Sequence, residues 1–244
     1  MNDPYLYKES SVLRNLLNIL DEKELDLAEA ELSRASMMLL YEQGFDDFST
    51  QGIKTIHKTL FEDVYDWAGV FRTINIQKRE DLLAGISVWY SDVRDIKRDL
   101  DVAWKEINQV QWKKLNREEF AAQISRTFPP LWKVHPFREG NTRTIVMLMT
   151  FFVEHYDYYF DQDLLAASAG YVRNAFVLAS LDQYSEFEHL EKILLDAICT
   201  EPMDYVDDLD QEDAVSQGEK YRKYQSEDYK PVAHEYRTDN GEKK

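Results

Sequence analysis

The densest chemistry in the chain lies in one short run, Val134-His135-Pro136-Phe137-Arg138-Glu139-Gly140-Asn141-Thr142-Arg143. His135 titrates near neutrality and suits a general base. Gly140 lets the backbone turn sharply and approach a ligand closely, and Asn141 or Thr142 supplies a helix cap. The first-turn N–H groups of the helix that follows, with the helix dipole behind them, form an anion site. Arg143 in that turn adds a guanidinium matched to phosphate oxygens. Glu139, just ahead of the anion site, is suited to hold Mg²⁺ bridging phosphates. Singly, each residue has an ordinary explanation: a hydrogen-bonded loop histidine, a turn, a cap, a solvated or paired charge. Together they suit a nucleotide-dependent transferase.

The helix that must carry this site is expected over 142–154. Ile145, Val146, Met147, Leu148, Met149, Phe151, Phe152 and Val153 leave it almost no polar face, the mark of a buried central helix. Upstream, Ser10 or Ser11 is expected to cap a short helix through Leu20. Apolar positions at Leu25, Leu27, Ala28, Leu32, Ala35, Met38 and Leu39 predict a helix over 21–41, ended by Gly44. Ser49 opens another, carrying Ile53, Ile56, Leu60, Val64 and Trp67 and stopped by Gly69. The β-formers of 70–76 predict a short strand or hairpin. Further helices are expected over 86–110, 117–128 (ended by Pro129-Pro130), 163–180 with a break at Gly170, and 185–199.

The run from His135 to Arg143 resembles the signature of the Fic (Fido) family, H-x-F-x-(D/E)-G-N-x-R-x-x-R. His135, Phe137, Glu139, Gly140, Asn141 and Arg143 match; the final arginine is Val146 in this chain. The stretch from Trp67 to Ile76 is similar to the segment that forms the family's flap. The resemblance, over roughly residues 10–200, implies an all-α, mainly helical Fic/Fido fold with a short β-hairpin flap. It implies a protein adenylyltransferase that moves AMP from ATP to a Ser, Thr or Tyr hydroxyl of a target protein, releasing pyrophosphate. His135 then resembles the base and Phe137 the residue that buries the loop. Glu139 resembles the Mg²⁺ ligand, and Gly140, Asn141, Thr142 and Arg143 the nucleotide phosphate site. The flap residues Arg72, Thr73, Ile74, Asn75 and Ile76, with Lys78, are the candidates for docking an extended target segment by main-chain pairing.

Two departures bear on function. Thr142 stands where many members have Gly. Val146 removes the arginine that typically contacts the terminal phosphates, a charge-assisted contact worth about 1.5–3 kcal/mol. Two alternatives therefore stay open: a Fic-fold transferase with another donor (a different nucleotide, phosphocholine or phosphate), or a degenerate, non-catalytic binding module. The family's inhibitory motif, (S/T)-x-x-x-E-(G/N), has no copy in the chain. The protein is then expected to be unrestrained, or inhibited by a separate small antitoxin.

Composition bounds the rest. A net charge of −17 over 244 residues argues against nucleic-acid or anionic-membrane partners. The N-terminus lacks signal-peptide character and no apolar run could span a bilayer, so a cytoplasmic protein is expected. One cysteine, Cys199, excludes a disulfide framework. His57, His155, His189 and His234 have no metal-binding spacing and are expected to be structural or solvated. The chain divides into an N-terminal helical region, 1–48, a catalytic domain, 49–200, and an acidic tail, 201–244. That tail holds 13 acidic and 7 basic residues and is expected to be disordered, apart from a short helix over 219–225. The acidity is global; Arg126, Lys133, Arg138 and Arg143 cluster in sequence around the nucleotide loop.

Overall fold

The structure is a computed structural model, and it describes residues 3–78, 80–83 and 88–201. The expectations for the tail, including its helix over 219–225, lie outside the described residues. Eight α-helices appear among the described residues: α1 (Glu22–Gln43), α2 (Thr50–Phe61), α3 (Ile96–Gln109), α4 (Arg117–Val134), α5 (Asn141–His155), α6 (Gln162–Ala167), α7 (Ala169–Ala179) and α8 (Glu188–Ala197). Two short strands, β1 (Tyr159–Phe160) and β2 (Ile198–Cys199), pair antiparallel, Tyr159 opposite Cys199 and Phe160 opposite Ile198. The all-α, mainly helical class is as expected. Among the described residues no helix is long and apolar enough to cross a membrane.

The chain divides into two compact units. The first takes in residues 3–76, 91–109 and 134–156. At its centre α2 packs against α1, α3 and α5. The Ser49 hydroxyl caps α2, accepting from the N–H groups of Gln51 and Gly52 at 3.1 and 3.2 Å. Ile53, Ile56, Leu60 and Phe61 of α2 are wholly buried, and so are Met147, Leu148, Met149 and Val153 of α5. The second unit holds the described residues of 77–90, 110–133 and those from 157 onward. In it α6, α7 and α8 pack on one another, and Trp132 stacks on Phe176 with ring centroids 5.7 Å apart.

Several local expectations give way to tertiary partners. No helix forms before α1: Tyr5, Tyr7, Val12 and Asn15 instead fold a compact loop closed by backbone and amide hydrogen bonds. α2 ends at Phe61, and the chain turns through 62–69 although Val64 and Trp67 keep helical spacing and are buried. Residues 88–95 are not helical, so α3 starts ten residues later than expected. Residues 70–78 carry no strand; the chain bends at Thr73 and Ile74, and the two-stranded sheet lies elsewhere. α4 continues through Pro129 and Pro130. Each proline lacks an N–H, a cost of order 3 kcal/mol inside a helix, which the complete burial of Phe128, Leu131 and Trp132 on the same turns offsets. The break near 170 falls at Ser168, and Gly170 lies inside α7.

The buried face of α1 also differs from its apolar stripe. Leu25, Glu29, Ser33 and Leu40 face inward, while Leu27, Met38 and Leu39 are exposed. The reason is polar, and it lies at the site.

Candidate active site

The loop from His135 to Gly140 is built around two residues in left-handed backbone conformation. His135 has φ +49 and is buried. Gly140 has φ +78, and a Cβ there would sit 2.4 Å from the Phe61 ring, so only glycine fits. Between them Phe137 is wholly buried. Its N–H donates to Asn141 Oδ1 and its carbonyl accepts from Asn141 Nδ2, both at 2.9 Å. The Asn141 side chain thus closes the loop on itself, and any anion contact from this residue falls to its backbone N–H. The helical ladder of α5 starts with Thr144 N–H donating to the Gly140 carbonyl at 3.0 Å, which leaves the first-turn N–H groups outside it. Thr142, Arg143 and Glu139 are half-buried around that turn. A Glu139 carboxylate oxygen accepts from Gly140 N–H at 3.1 Å.

Arg72 braces the loop from below. It is almost wholly buried, at 2% exposure. Its Nε donates to the His135 carbonyl at 2.8 Å, its Nη1 to Ile74 O at 2.8 Å, and its Nη2 to Ser91 O. Its own N–H donates to Pro136 O at 2.8 Å. The Arg72 side chain therefore supports the histidine rather than facing solvent as a docking group. Thr73 and Asn75 are exposed. Tyr5 holds Thr73 (Thr73 N–H to the phenol oxygen, 3.0 Å), and Asn75 bonds Asp92 and Val93. Ile74 and Ile76 are half-buried beside them. Lys78 is half-exposed and belongs to the second unit.

The third support is α1. Glu29, 6% exposed, forms an ion pair with Arg143 Nη2, while Ser33 Oγ accepts from Arg143 Nη1 at 2.9 Å. The second Glu29 oxygen accepts the Tyr65 hydroxyl. Burial, with the Glu29 charge second, pushes the Tyr65 phenol far above its ordinary range, so it stays a donor. The Arg143 guanidinium also lies 4.8 Å from the centroid of the Phe61 ring. These partners explain why Glu29 and Ser33 turn inward.

The expected basic cluster is neutralised pair by pair. Arg138 is bonded to Asp3 at 2.9 Å, Arg143 to Glu29, Arg126 to Glu191 at 3.2 Å, and Lys133 to Asp182. Residues that sequence reasoning missed are Glu29, Ser33, Tyr65 and the specific role of His57. For Glu29 a signal existed: with Leu25 and Ser33 it forms an i, i+4, i+8 row that ends at the buried Leu40.

Comparison with known proteins agrees with this architecture. The Fic/DOC family model matches residues 47–153, which include α2, the 70–76 segment, the His135 loop and most of α5. A probable protein adenylyltransferase of Sinorhizobium fredii is 30% identical over 68% of this chain and 82% of its own length. The protein adenylyltransferase VbhT of Bartonella schoenbuchensis is 30% identical over 75% of this chain but only 36% of its own length. The N-terminal Fic domain of a VirB-translocated Bep effector of Bartonella quintana, solved with bound ADP, superposes with a TM-score of 0.68. It is 25% identical, over 80% of this chain and 94% of that one. The chain belongs to the Fic/DOC family.

Proposed function

We propose that the chain is a protein adenylyltransferase, transferring AMP from ATP to a serine, threonine or tyrosine hydroxyl of a target protein. The observation that carries this reading is the buried His135 at one end of a closed loop whose other end presents Arg143 on the first turn of α5. The names of the relatives and the ADP held by the Bartonella quintana domain support a nucleotide donor.

In this mechanism His135 accepts the proton of the target hydroxyl. The hydroxyl oxygen forms a bond to the α-phosphorus, the bond from that phosphorus to the bridging oxygen breaks, and its electron pair leaves with pyrophosphate. Gly140, Asn141, Thr142 and Arg143 bind the phosphates through first-turn N–H groups and the guanidinium. Glu139, half-buried beside the first turn of α5 with a carboxylate oxygen at the Gly140 N–H, is the residue that would hold Mg²⁺, a hard cation that takes oxygen ligands. When bound, Mg²⁺ supplies charge neutralisation at the phosphates. Thr73, Ile74, Asn75 and Ile76 are the proposed docking strip for the target, with Arg72 acting through the His135 carbonyl.

The test is label transfer from α-labelled ATP to protein in a lysate, followed by mass spectrometry of the added group. Transfer abolished by His135→Ala is the expected result. Transfer that survives removes His135 as the base, and label arriving from γ- but not α-labelled ATP removes AMP as the group. Val146 and the paired state of Arg143 favour a second reading, a Fic-fold module that binds a partner without transfer. Under that reading no label moves and Mg·ATP binds only in the millimolar range or weaker.

A further inference from the structure

We propose that His57 is a positioning residue that ties the root of the docking strip to the nucleotide loop. The inference takes the roles of those two segments from the adenylyltransferase reading. His57 lies in α2 and is wholly buried. Gly69, where the chain turns into the 70–76 segment, donates its N–H to His57 Nδ1 at 2.8 Å. A nitrogen that accepts from a backbone N–H carries no proton, so the single proton of the neutral ring is on Nε2. Nε2 stands 3.0 Å from the Glu139 carbonyl and donates to it. One imidazole thereby joins two backbone groups that lie far apart in sequence, one at each segment.

The ring is also stacked on Phe137, with centroids 3.7 Å apart and planes inclined by 20°. The turn needs glycine at 69: at φ +75, a Cβ would come within 2.8 Å of Lys58 Cβ and 2.9 Å of Lys54 O. A charged ring would set a second N–H against that of Gly69.

His57→Asn and His57→Gln separate the two bonds. Asparagine Oδ1 replaces Nδ1 and keeps an acceptor for Gly69, but offers no donor at the Glu139 carbonyl. Glutamine Nε2 keeps that donor and leaves Gly69 without its acceptor. Both variants lose the ring, so comparing them with each other removes the shared packing loss. For His57→Gln, the Gly69 amide is expected to exchange at least about tenfold faster than in His57→Asn. For His57→Asn, the Gly140 amide is expected to exchange faster and Mg·ADP to bind about tenfold more weakly than in His57→Gln. Equal effects in both variants overturn the inference. Should neither variant fold, ¹⁵N-histidine spectra of the unaltered chain at neutral pH decide: a neutral ring with its proton on Nε2 supports the bridge, and a proton on Nδ1 overturns it. If the unaltered chain fails to bind Mg·ADP, the nucleotide reading falls, while the exchange rates still judge the bridge.

Discussion

The guanidinium of Arg143, on the first turn of α5, is held by the carboxylate of Glu29 on α1, a residue 114 positions earlier in the chain. Ser33 and Tyr65 complete the group, so the arginine proposed for phosphate binding is already matched to a buried anion. A nucleotide phosphate bound as proposed would compete with that carboxylate for the same guanidinium. Glu29→Gln keeps the shape and removes the charge. It is expected to tighten Mg·ADP binding about three- to tenfold. Isothermal titration of both proteins checks this; weaker binding in the variant would mean that Glu29 holds Arg143 ready rather than occupied.

Gly140→Ala is expected to lower unfolding stability by about 2–5 kcal/mol. The positive φ costs about 1–2 kcal/mol, and the clash with the Phe61 ring adds an overpacking term of about 1–3 kcal/mol. Urea unfolding measures the loss. Adding Phe61→Leu, which opens space for the new methyl group, is expected to make the Gly140→Ala step less costly.

Arg72→Lys removes a planar donor array that serves the carbonyls of His135, Ile74 and Ser91 at once. One ammonium cannot replace it. A stability loss of about 3 kcal/mol is expected from the carbonyls left short of donors. Label transfer is expected to fall at least about tenfold, because the carbonyl of His135, a residue at φ +49, loses the donor that braces it. Mg·ADP affinity, proposed to depend on the other end of the loop, is expected to change less than transfer does.

His57 makes stability depend on pH. Its folded pKa is lowered from 6.5 to about 3, chiefly by burial, with Arg143 lowering it and Glu139 opposing. Between those values the unfolded chain binds a proton that the folded chain refuses. The contribution is full above about pH 6.5 and is lost as pH falls toward 3, at up to about 1.4 kcal/mol per pH unit. In metal-free buffer, the gap in unfolding free energy between the unaltered chain and His57→Gln is expected to narrow steadily from pH 7 to pH 4. A gap that does not vary with pH would contradict the neutral, buried ring.

The site loop and α5 are legible from consecutive residues. A turn needs its glycine, a helix start needs uncommitted N–H groups, and an apolar run needs a core, all within a few positions of one another. The Ser49 cap and the span of α5 follow for the same reason. Less legible is whatever depends on a partner distant in sequence. The apolar stripe of α1 places Leu27 and Met38 inside, yet Arg143 and Tyr65 reward turning Glu29 and Ser33 inward instead. Prolines 129 and 130 read as a stop, yet burial of Phe128, Leu131 and Trp132 carries the helix past them. The β-formers of 70–76 read as a strand, yet their hydrogen bonds go to Pro136, Tyr5, Asp92 and the Arg72 side chain.

The kinds of chemistry available, a base, a carboxylate, an anion-binding helix start and an arginine, are thus written in one contiguous run. Their charge state and support are not. Arg126, Lys133, Arg138 and Arg143 look like a basic patch along the chain, but folding brings a carboxylate to each. His57 looks like an ordinary helix histidine until Gly69 and Glu139 meet at its two nitrogens. Local backbone demands act over a few residues and are set by residue type. Electrostatic pairing and bridging hydrogen bonds act through space, and so they depend on which distant segments the core brings together.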